Sequence, residues 1–494
     1  YIPGMQAQSP APPAWRAPLS ARAGLGETRK ELDRIEDKVL SGGRLSPAEG
    51  LYLHEHADLN RLGSLADQVR RRWHPRPVVT YIVDRNVNPT NVCITDCGFC
   101  AFYRRPGQQG AYVLEREVIH AKLAETAALG GRQVLMQGGH HPQLKTAWWA
   151  ELFADLRQRF PLINLHALSA PELDHLAKLD KRPVEAVIAE LYAAGLGSVP
   201  GAGAEMLVER VRRLIAPKKT STERWLEIHR RIHEAGLRSS ATMMFGHLET
   251  PAERIEHLDR LRTLQDETGG FTAFACWTMQ PEGVPEQHKY PPKATPGVYL
   301  RVQALARIYL DNFANLQTSF VTQGMKMGQI TLRFGCNDFG GTMLEENVVS
   351  AAGCKKLEGI EVIERMISGA GFAPRPGPPP ARRAGPPPPS GPWSAPERSS
   401  SRPASCAAPR PRGSRRWPAS CARASAWMPP MACVYTPPKT CKRWAPWPTA
   451  CASAGTATGP TSTSTNTSIT PITATSSASS ARSIGCPAKR APTC

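Results

Sequence analysis

The chain has 494 residues, with 61 Lys and Arg against 42 Asp and Glu, a formal charge of +19, and 47 Pro, 40 Gly and 13 Cys. The 122 residues after Phe372 hold 25 of the prolines and 16 of the basic residues against one acid, Glu397, and no Leu, Phe or Asp, so residues 1–372 carry only +4. A near-neutral body argues against a nucleic-acid partner, six Cys before residue 373 exclude a disulfide scaffold, and the lack of any apolar run of about 18 residues excludes a helical membrane span.

Residues 1–26 are rich in Pro and Ala and lack the apolar centre of a signal peptide, so they read as a disordered leader on a cytoplasmic protein. Residues 27–76 read as a helical cap, with Leu32, Ile35 and Leu40, then Leu51, Leu53, Leu59 and Leu62, broken at Ser41-Gly42-Gly43. The main domain is expected over 77–372. It opens on an apolar, β-branched strand, Val78–Val83, followed by a polar loop containing Cys. Helix is then expected over Val118–Leu129, strand over Gln133–Met136, helix over Ala147–Phe160, strand over Leu162–His166 and helix over Val184–Ala194, with a short strand near Leu196–Val199. Thr220–Glu223 resembles a capping box opening a helix that runs to Ala235-Gly236. Strand over Arg238–Phe245, helix over Pro251–Thr268, strand over Phe271–Trp277 and helix over Tyr299–Asn312 follow, with last strands at Leu316–Val321 and Gln329–Phe334.

Six strand–helix units in succession point to a parallel α/β fold. With no dinucleotide-type glycine fingerprint, a barrel is favoured, partial or full. Chemistry is then expected at the C-terminal ends of the strands. Polar residues fall there: Asn86, Asn88, Gln137, His166, Glu205, His247, Glu249, Gln280, Asn337 and Asp338.

The strongest signal is Cys93-x3-Cys97-x2-Cys100, just after the first strand. Thiolates suit zinc or iron–sulfur. A structural zinc closes with four protein ligands, and three Cys with no adjacent fourth leave a coordination position open. With Phe99 before the last Cys, this spacing resembles the radical S-adenosylmethionine (SAM) superfamily. The resemblance implies a (βα) TIM-type barrel. It implies a four-iron four-sulfur cluster on Cys93, Cys97 and Cys100, with SAM on the fourth iron as the source of a 5′-deoxyadenosyl radical.

Thr80–Asn88, Cys100–Arg104, Gln137-Gly138-Gly139, Leu165–Ser169, Gly203–Glu205, Ala241–His247, Gln265–Phe274 and Glu345–Gly353 are similar to the cyclic dehypoxanthinyl futalosine synthase family of menaquinone biosynthesis. That similarity covers about residues 27–372. It implies a nucleoside-like substrate whose ribose C4′ hydrogen is taken and whose carbon radical closes on a benzoate ring. It also implies an electron donor such as flavodoxin or ferredoxin. The aminofutalosine synthases share the cluster motif. Tyr81–Arg85, Gln137 and Phe274–Gln280 favour the cyclase.

Within this resemblance, Gln137, Gly138 and Gly139 are candidates for the SAM amino group, with a tight turn as the plain alternative. His166 is a candidate contact to SAM or substrate, or a hydrogen-bonded core residue. Glu205 suits the SAM ribose hydroxyls, or serves as a helix N-terminal charge. His247, Glu249 or Asp338 could take the proton after ring closure. Arg85 could meet the benzoate carboxylate, or form a structural ion pair, and Asn88 is a further substrate candidate. Cys276, Cys336 and Cys354 read as core residues. The basic runs Arg71–His74 and Pro217-Lys218-Lys219 read as solvated surface.

Residues 373–494 cannot bury enough apolar surface to offset backbone ordering of about 1–2 kcal/mol per residue. They read as a disordered tail or as the product of a reading-frame shift in a GC-rich gene. The basic tail lacks aromatic interleaving, so the rival reading of a nucleic-acid-binding protein is set aside.

Overall fold

The computed structural model describes residues 25–354 and 359–377. The disordered leader and the disordered or frame-shifted tail proposed from the sequence fall, apart from Leu25, Gly26 and residues 373–377, outside the described residues.

Three helices come first: α1 (Leu25–Leu40), α2 (Pro47–His56) and α3 (Leu59–Trp73). Ser46 and Glu49 cap α2 reciprocally with Pro47 in its first turn, and Asp58 accepts the Arg61 N–H to start α3. Strands and helices then alternate as β1 (Val78–Ile82), β2 (Asp84–Val87), α4 (Arg116–Ala128), β3 (Gln133–Met136), α5 (Thr146–Arg159), β4 (Asn164–Ala167), α6 (Ala170–Asp180), α7 (Val184–Ala194), α8 (Glu209–Ile215) and α9 (Thr222–Glu234). The second half holds β5 (Ser239–Phe245), α10 (Pro251–Thr268), β6 (Phe271–Thr278), α11 (Pro296–Tyr309), β7 (Leu316–Gln317), α12 (Phe320–Gln323), α13 (Met325–Thr331), β8 (Asp338–Gly341), α14 (Ile360–Gly369) and β9 (Ala373–Pro376). The N-terminal helices pack on the outer layer, α3 on α11 and α2 on α10 and α11.

Every strand pairing is parallel. β2 pairs with β3 and β3 with β4, and single bridges His166–Ser198 and Val199–Ser239 lead on to β5. From there β5, β6, β7, β8 and β1 pair in order. Only Val83 separates β1 from β2, so the pairings return to the segment from which they started. This is the topology of a (βα) barrel. Strands such as β2 and β5 are buried along nearly their whole length, as expected of a parallel sheet covered on both faces.

Several elements differ from the sequence expectation, each for a physical reason. The segment Gln329–Phe334 is not a strand. Ile330, Leu332 and Phe334 alternate as a strand would, but Gly324 turns at φ 89° and α13 runs to Thr331, leaving Ile330 exposed. The expected strand Leu316–Val321 stops at Gln317 and gives way to α12. β8 was not expected, since Asp-Phe-Gly-Gly has little strand propensity. It forms because its neighbours on both sides are strands. The fully buried Arg307 also fixes the chain before it, donating to the Gly335 carbonyl at 2.7 Å and to Asn337 Oδ1 at 2.7 Å. The capping box expected at Thr220 is shifted by one residue. Ser221 is the cap and accepts from Arg224 N–H, so Glu223 does not occupy the reciprocal position. Finally, order extends past Phe372. Residues 373–376 form β9 along the open side of β1, with Val78 opposite Ala373.

Candidate active site

The C-terminal ends of the strands enclose a cavity of about 370 Å³, within the range of small-molecule sites. Cys93, Cys97 and Cys100 line one wall, with Gln137–His140 after β3 and Glu205 and Lys219 beside them. Trp277–Gln280 at the end of β6, Thr318–Thr322 after β7, and Met343, Glu346, Val348, Val349 and Ala352 after β8 line the rest.

The Cys loop is shaped by backbone contacts. Cys93 N–H donates to Arg104 O at 2.9 Å, Arg104 N–H to Asn91 O at 2.9 Å, and Gly139 N–H to Thr90 O at 3.0 Å. Ile94 N–H donates to His140 O, and the Thr95 hydroxyl meets His140 Nδ1 at 2.8 Å. Glycine is required at Gly139, where a Cβ would lie 2.1 Å from the main-chain Val92 O. The close approach that the Gly-Gly pair permits is therefore to the Cys loop.

All three thiols are free of disulfides. Burial pushes the Cys97 thiol up to about 12 and raises Cys100, against Phe102 and Tyr103 N–H groups that favour the thiolate. A bound metal reverses that burial cost, because it takes the thiolate directly. Among the described residues no three His, Cys, Asp or Glu are gathered for a single metal ion. Three thiolates on one zinc, at about 2.3 Å each, would lie within about 4 Å of one another. Three soft donors spread along one wall of a roomy cavity fit a larger iron–sulfur group.

Gln137 lines the cavity, and its backbone carbonyl accepts from Asn88 Nδ2 at 2.8 Å. Gly138 N–H is held by Glu172 at 2.9 Å, and the same carboxylate takes the Ser169 N–H and hydroxyl. Glu172 lines the cavity yet is fully occupied, and burial raises its carboxyl. Glu205 sits at φ 46° and meets Lys219 Nζ at 2.6 Å. Burial opposes the charge on Lys219, but Glu205 and Cys97 outweigh it and raise its pKa. Lys219 is only 13% exposed, so the basic run Pro217–Lys219 is not all surface. Lys218, 61% exposed on Asp96, behaves as the sequence suggested. Among the described cavity residues Lys219 is the only Lys or Arg.

Of the remaining candidates, all but Asn88 lie outside the cavity lining. His166 is buried, its Nδ1 2.8 Å from the Ser198 hydroxyl, and desolvation lowers its pKa to about 4, so it is neutral. His247 contacts Met244 O through Nε2 at 3.0 Å, while Nδ1 accepts Leu248 N–H at 2.7 Å, which leaves neither nitrogen free. Glu249 binds the Gly246 and His247 N–H groups and Arg254. Burial works against its charge, but His247 and Arg254 prevail and lower its pKa. Asp338 accepts from the Thr80 hydroxyl and from Gly340 N–H, one residue from Gly341, which does line the cavity. Burial pushes Asp338 up to about 6 and, with Asp338 nearby, Asp84 up to about 7. Arg85 turns outward to Glu125 at 2.7 Å and Glu345 at 3.2 Å, which is the structural ion pair foreseen as its alternative. Asn88 lines the cavity. Cys276 and Cys336 are buried core residues, and Cys354 donates to Gln280 Oε1 at 3.3 Å.

Sequence reading missed Glu172, Lys219, His140 and Glu346 as cavity residues. Ser169-Ala-Pro-Glu172 is itself a capping-box signal for α6 that would have placed Glu172 at the end of β4. Nothing local distinguishes Lys219 from its exposed neighbour.

Residues 87–261 match the radical SAM superfamily, and residues 268–377 match the CofH/MqnC C-terminal region. The cyclic dehypoxanthine futalosine synthase of Streptomyces coelicolor is 46% identical over 350 residues, 70% of this chain and 87% of that one. The enzyme of the same name from Halalkalibacterium halodurans is 42% identical over 343 residues, 69% of this chain and 92% of that one. An aminodeoxyfutalosine synthase from Thermus thermophilus is 41% identical over 345 residues, 69% of this chain and 92% of that one. Among solved structures, methylornithine synthase (PylB) superposes with a TM-score of 0.56 at 17% identity, over 69% of this chain and 97% of that one, a likeness of fold.

Proposed function

This chain belongs to the radical SAM superfamily, in the family that holds the cyclic dehypoxanthine futalosine synthases, and we propose that it cyclises dehypoxanthine futalosine in menaquinone biosynthesis. The observation that carries the reading is the wall of three free thiols, Cys93, Cys97 and Cys100, opening on a cavity at the strand C-termini. A four-iron four-sulfur cluster with SAM would supply there the 5′-deoxyadenosyl radical that takes a hydrogen from the substrate.

The protein's part is to bind, orient and exclude water. Cys93, Cys97 and Cys100 would hold the cluster. Gln137, with the turn at Gly138-Gly139, would border SAM. Glu205 would accept the ribose hydroxyls, with Lys219 holding its carboxylate in place. Asn88 would meet the substrate. Arg85 and His166 do not line the cavity, and substrate contact is not assigned to them.

Ring closure ends with loss of an electron and a proton. His247 and Glu249 are committed to their own turn. Asp338 does not line the cavity either, but it is held by Thr80 and Gly340 beside Gly341, which does, and a carboxylate held near neutrality is a competent base, so it is the remaining candidate to take the proton. Asp338→Asn should still cleave SAM but lose cyclised product; normal product formation by that variant would remove the assignment. The electron that initiates SAM cleavage would come from a small carrier such as flavodoxin or ferredoxin, in a cytoplasmic setting, and the electron released at ring closure would be taken up by the cluster or such a carrier. No helix among the described residues is long and apolar enough to cross a membrane.

The test is to reconstitute the protein and supply SAM, a reductant and either dehypoxanthine futalosine or an enolpyruvyl benzoate. Cyclised product from the first substrate supports the reading. An adenosyl adduct from the second alone would make the chain an aminofutalosine synthase.

A further inference from the structure

The segment after β8 crosses the cavity as a strap and is fastened from outside. Thr342 N–H donates to Ile82 O, Leu344 N–H to Asp84 O, and Asn86 N–H to Glu345 O, so the strap starts alongside β2. Its next two side chains part. Glu345 turns outward, to Lys122 at 2.5 Å and to Arg85 at 3.2 Å. Glu346 lines the cavity side and accepts the Val348, Val349 and Ser350 N–H groups at 2.8, 3.0 and 2.8 Å. That carboxylate folds the strap into a compact turn and places Val348, Val349 and Ala352 on the cavity. The far end is tied by Cys354 to Gln280. Asn347 donates to Asn88, which itself lines the cavity.

The outer fastening is built of charge that is costly to leave unpaired. The Arg85 side chain is 8% exposed and is shared between Glu125 and Glu345, and removing one partner of such a pair strands the other. The edge it secures presents apolar side chains where a carbon radical must be kept from water and from stray hydrogen donors. Resting on the cyclase reading, we propose that Arg85 and Lys122 are positioning residues that act through Glu345 to hold Val348 and Val349 over the reacting substrate. They touch neither substrate nor SAM. Their role is to keep each radical event productive.

The experiment compares the reconstituted wild type with Arg85→Gln, Lys122→Gln and Glu345→Gln in D2O. It measures cluster absorbance, 5′-deoxyadenosine, cyclised product and deuterium in recovered substrate. In the wild type one 5′-deoxyadenosine should accompany each cyclised product. In Glu345→Gln and Arg85→Gln, with cluster content unchanged, the ratio of deoxyadenosine to product should rise at least fivefold, and deuterium should enter the recovered substrate as an electron from the reductant and a solvent deuteron quench the uncyclised radical. Arg85→Lys should restore at least half of the coupling. Lys122 is partly exposed, so Lys122→Gln keeps the test available if Arg85→Gln does not fold, and its ratio should rise at least twofold. Variants that keep both the cluster and the wild-type ratio would overturn the proposal. If the wild type ignores dehypoxanthine futalosine but accepts enolpyruvyl benzoate, the substrate reading fails, and the same ratio measured with that substrate still decides the strap.

Discussion

The two sides of the cavity are built by different means. The cluster wall, residues 90–104 with 137–140, is shaped by main-chain hydrogen bonds and by glycines that allow backbone to meet backbone. The strap side, residues 342–354, is shaped by side chains: Glu346 reaching its own amides, and Glu345 reaching Arg85 and Lys122 more than 220 positions away in sequence. Backbone geometry fixes ligands to within fractions of an ångström, as a cluster needs. Side-chain ion pairs fix a cover that has to release product. The cluster wall should therefore fail abruptly on substitution, whereas the strap side should lose coupling before it loses folding.

The largest expected effect is on the cluster wall. Cys97→Ala should abolish 5′-deoxyadenosine formation and the absorbance near 400 nm, and a purified variant that still cleaves SAM would separate the Cys wall from the chemistry. Next comes Gly139→Ala. Its methyl would need the space of Val92 O, 2.1 Å away, so a stability loss of about 3 kcal/mol, at the upper end for overpacking, should accompany lost iron binding. Thermal unfolding and iron content per chain measure both. A well-folded variant with full iron would show that the backbone contact does not shape the wall.

A smaller effect lies beneath the strap. Asp84 accepts Met343 N–H at 3.0 Å and is pushed up to about 7, chiefly by burial and also by Asp338. A carboxyl whose folded pKa is raised binds its proton more tightly in the folded state. The stability it lends is complete below its ordinary value near 4 and is lost as pH rises to about 7. The wild-type thermal midpoint should fall between about pH 4 and pH 7, and Asp84→Asn should flatten that fall. An unchanged pH profile would mean that Asp84 is ionised in the fold throughout. The smallest effect is expected from removing residues 378–494, since the family match ends at residue 377. SAM cleavage should stay within about twofold. Ending the chain after Phe372 should cost more, because it removes β9 from the side of β1.

What the sequence made legible follows the same division. Three Cys within eight residues announce themselves, and helices such as α10, with its Thr250–Glu253 capping box, Pro251 and left-handed Gly269, are written locally. β8 was hidden because Asp-Phe-Gly-Gly has no strand propensity and depends on β1, β7 and the buried Arg307. Arg85 looked like a substrate contact because a benzoate carboxylate calls for a cation. Only the fold shows that β2 turns it towards α4 and Glu345, while Asn86 and Asn88 line the cavity. Lys219 looked like its exposed neighbour Lys218 because nothing within the run distinguishes the two.

Hydrogen abstraction from the ribose by a radical generated at the Cys wall can be followed with dehypoxanthine futalosine carrying deuterium at ribose C4′. The deuterium should appear in 5′-deoxyadenosine, one for each cyclised product formed. Cyclised product with unlabelled 5′-deoxyadenosine, or SAM cleavage that yields no cyclised product, would contradict it.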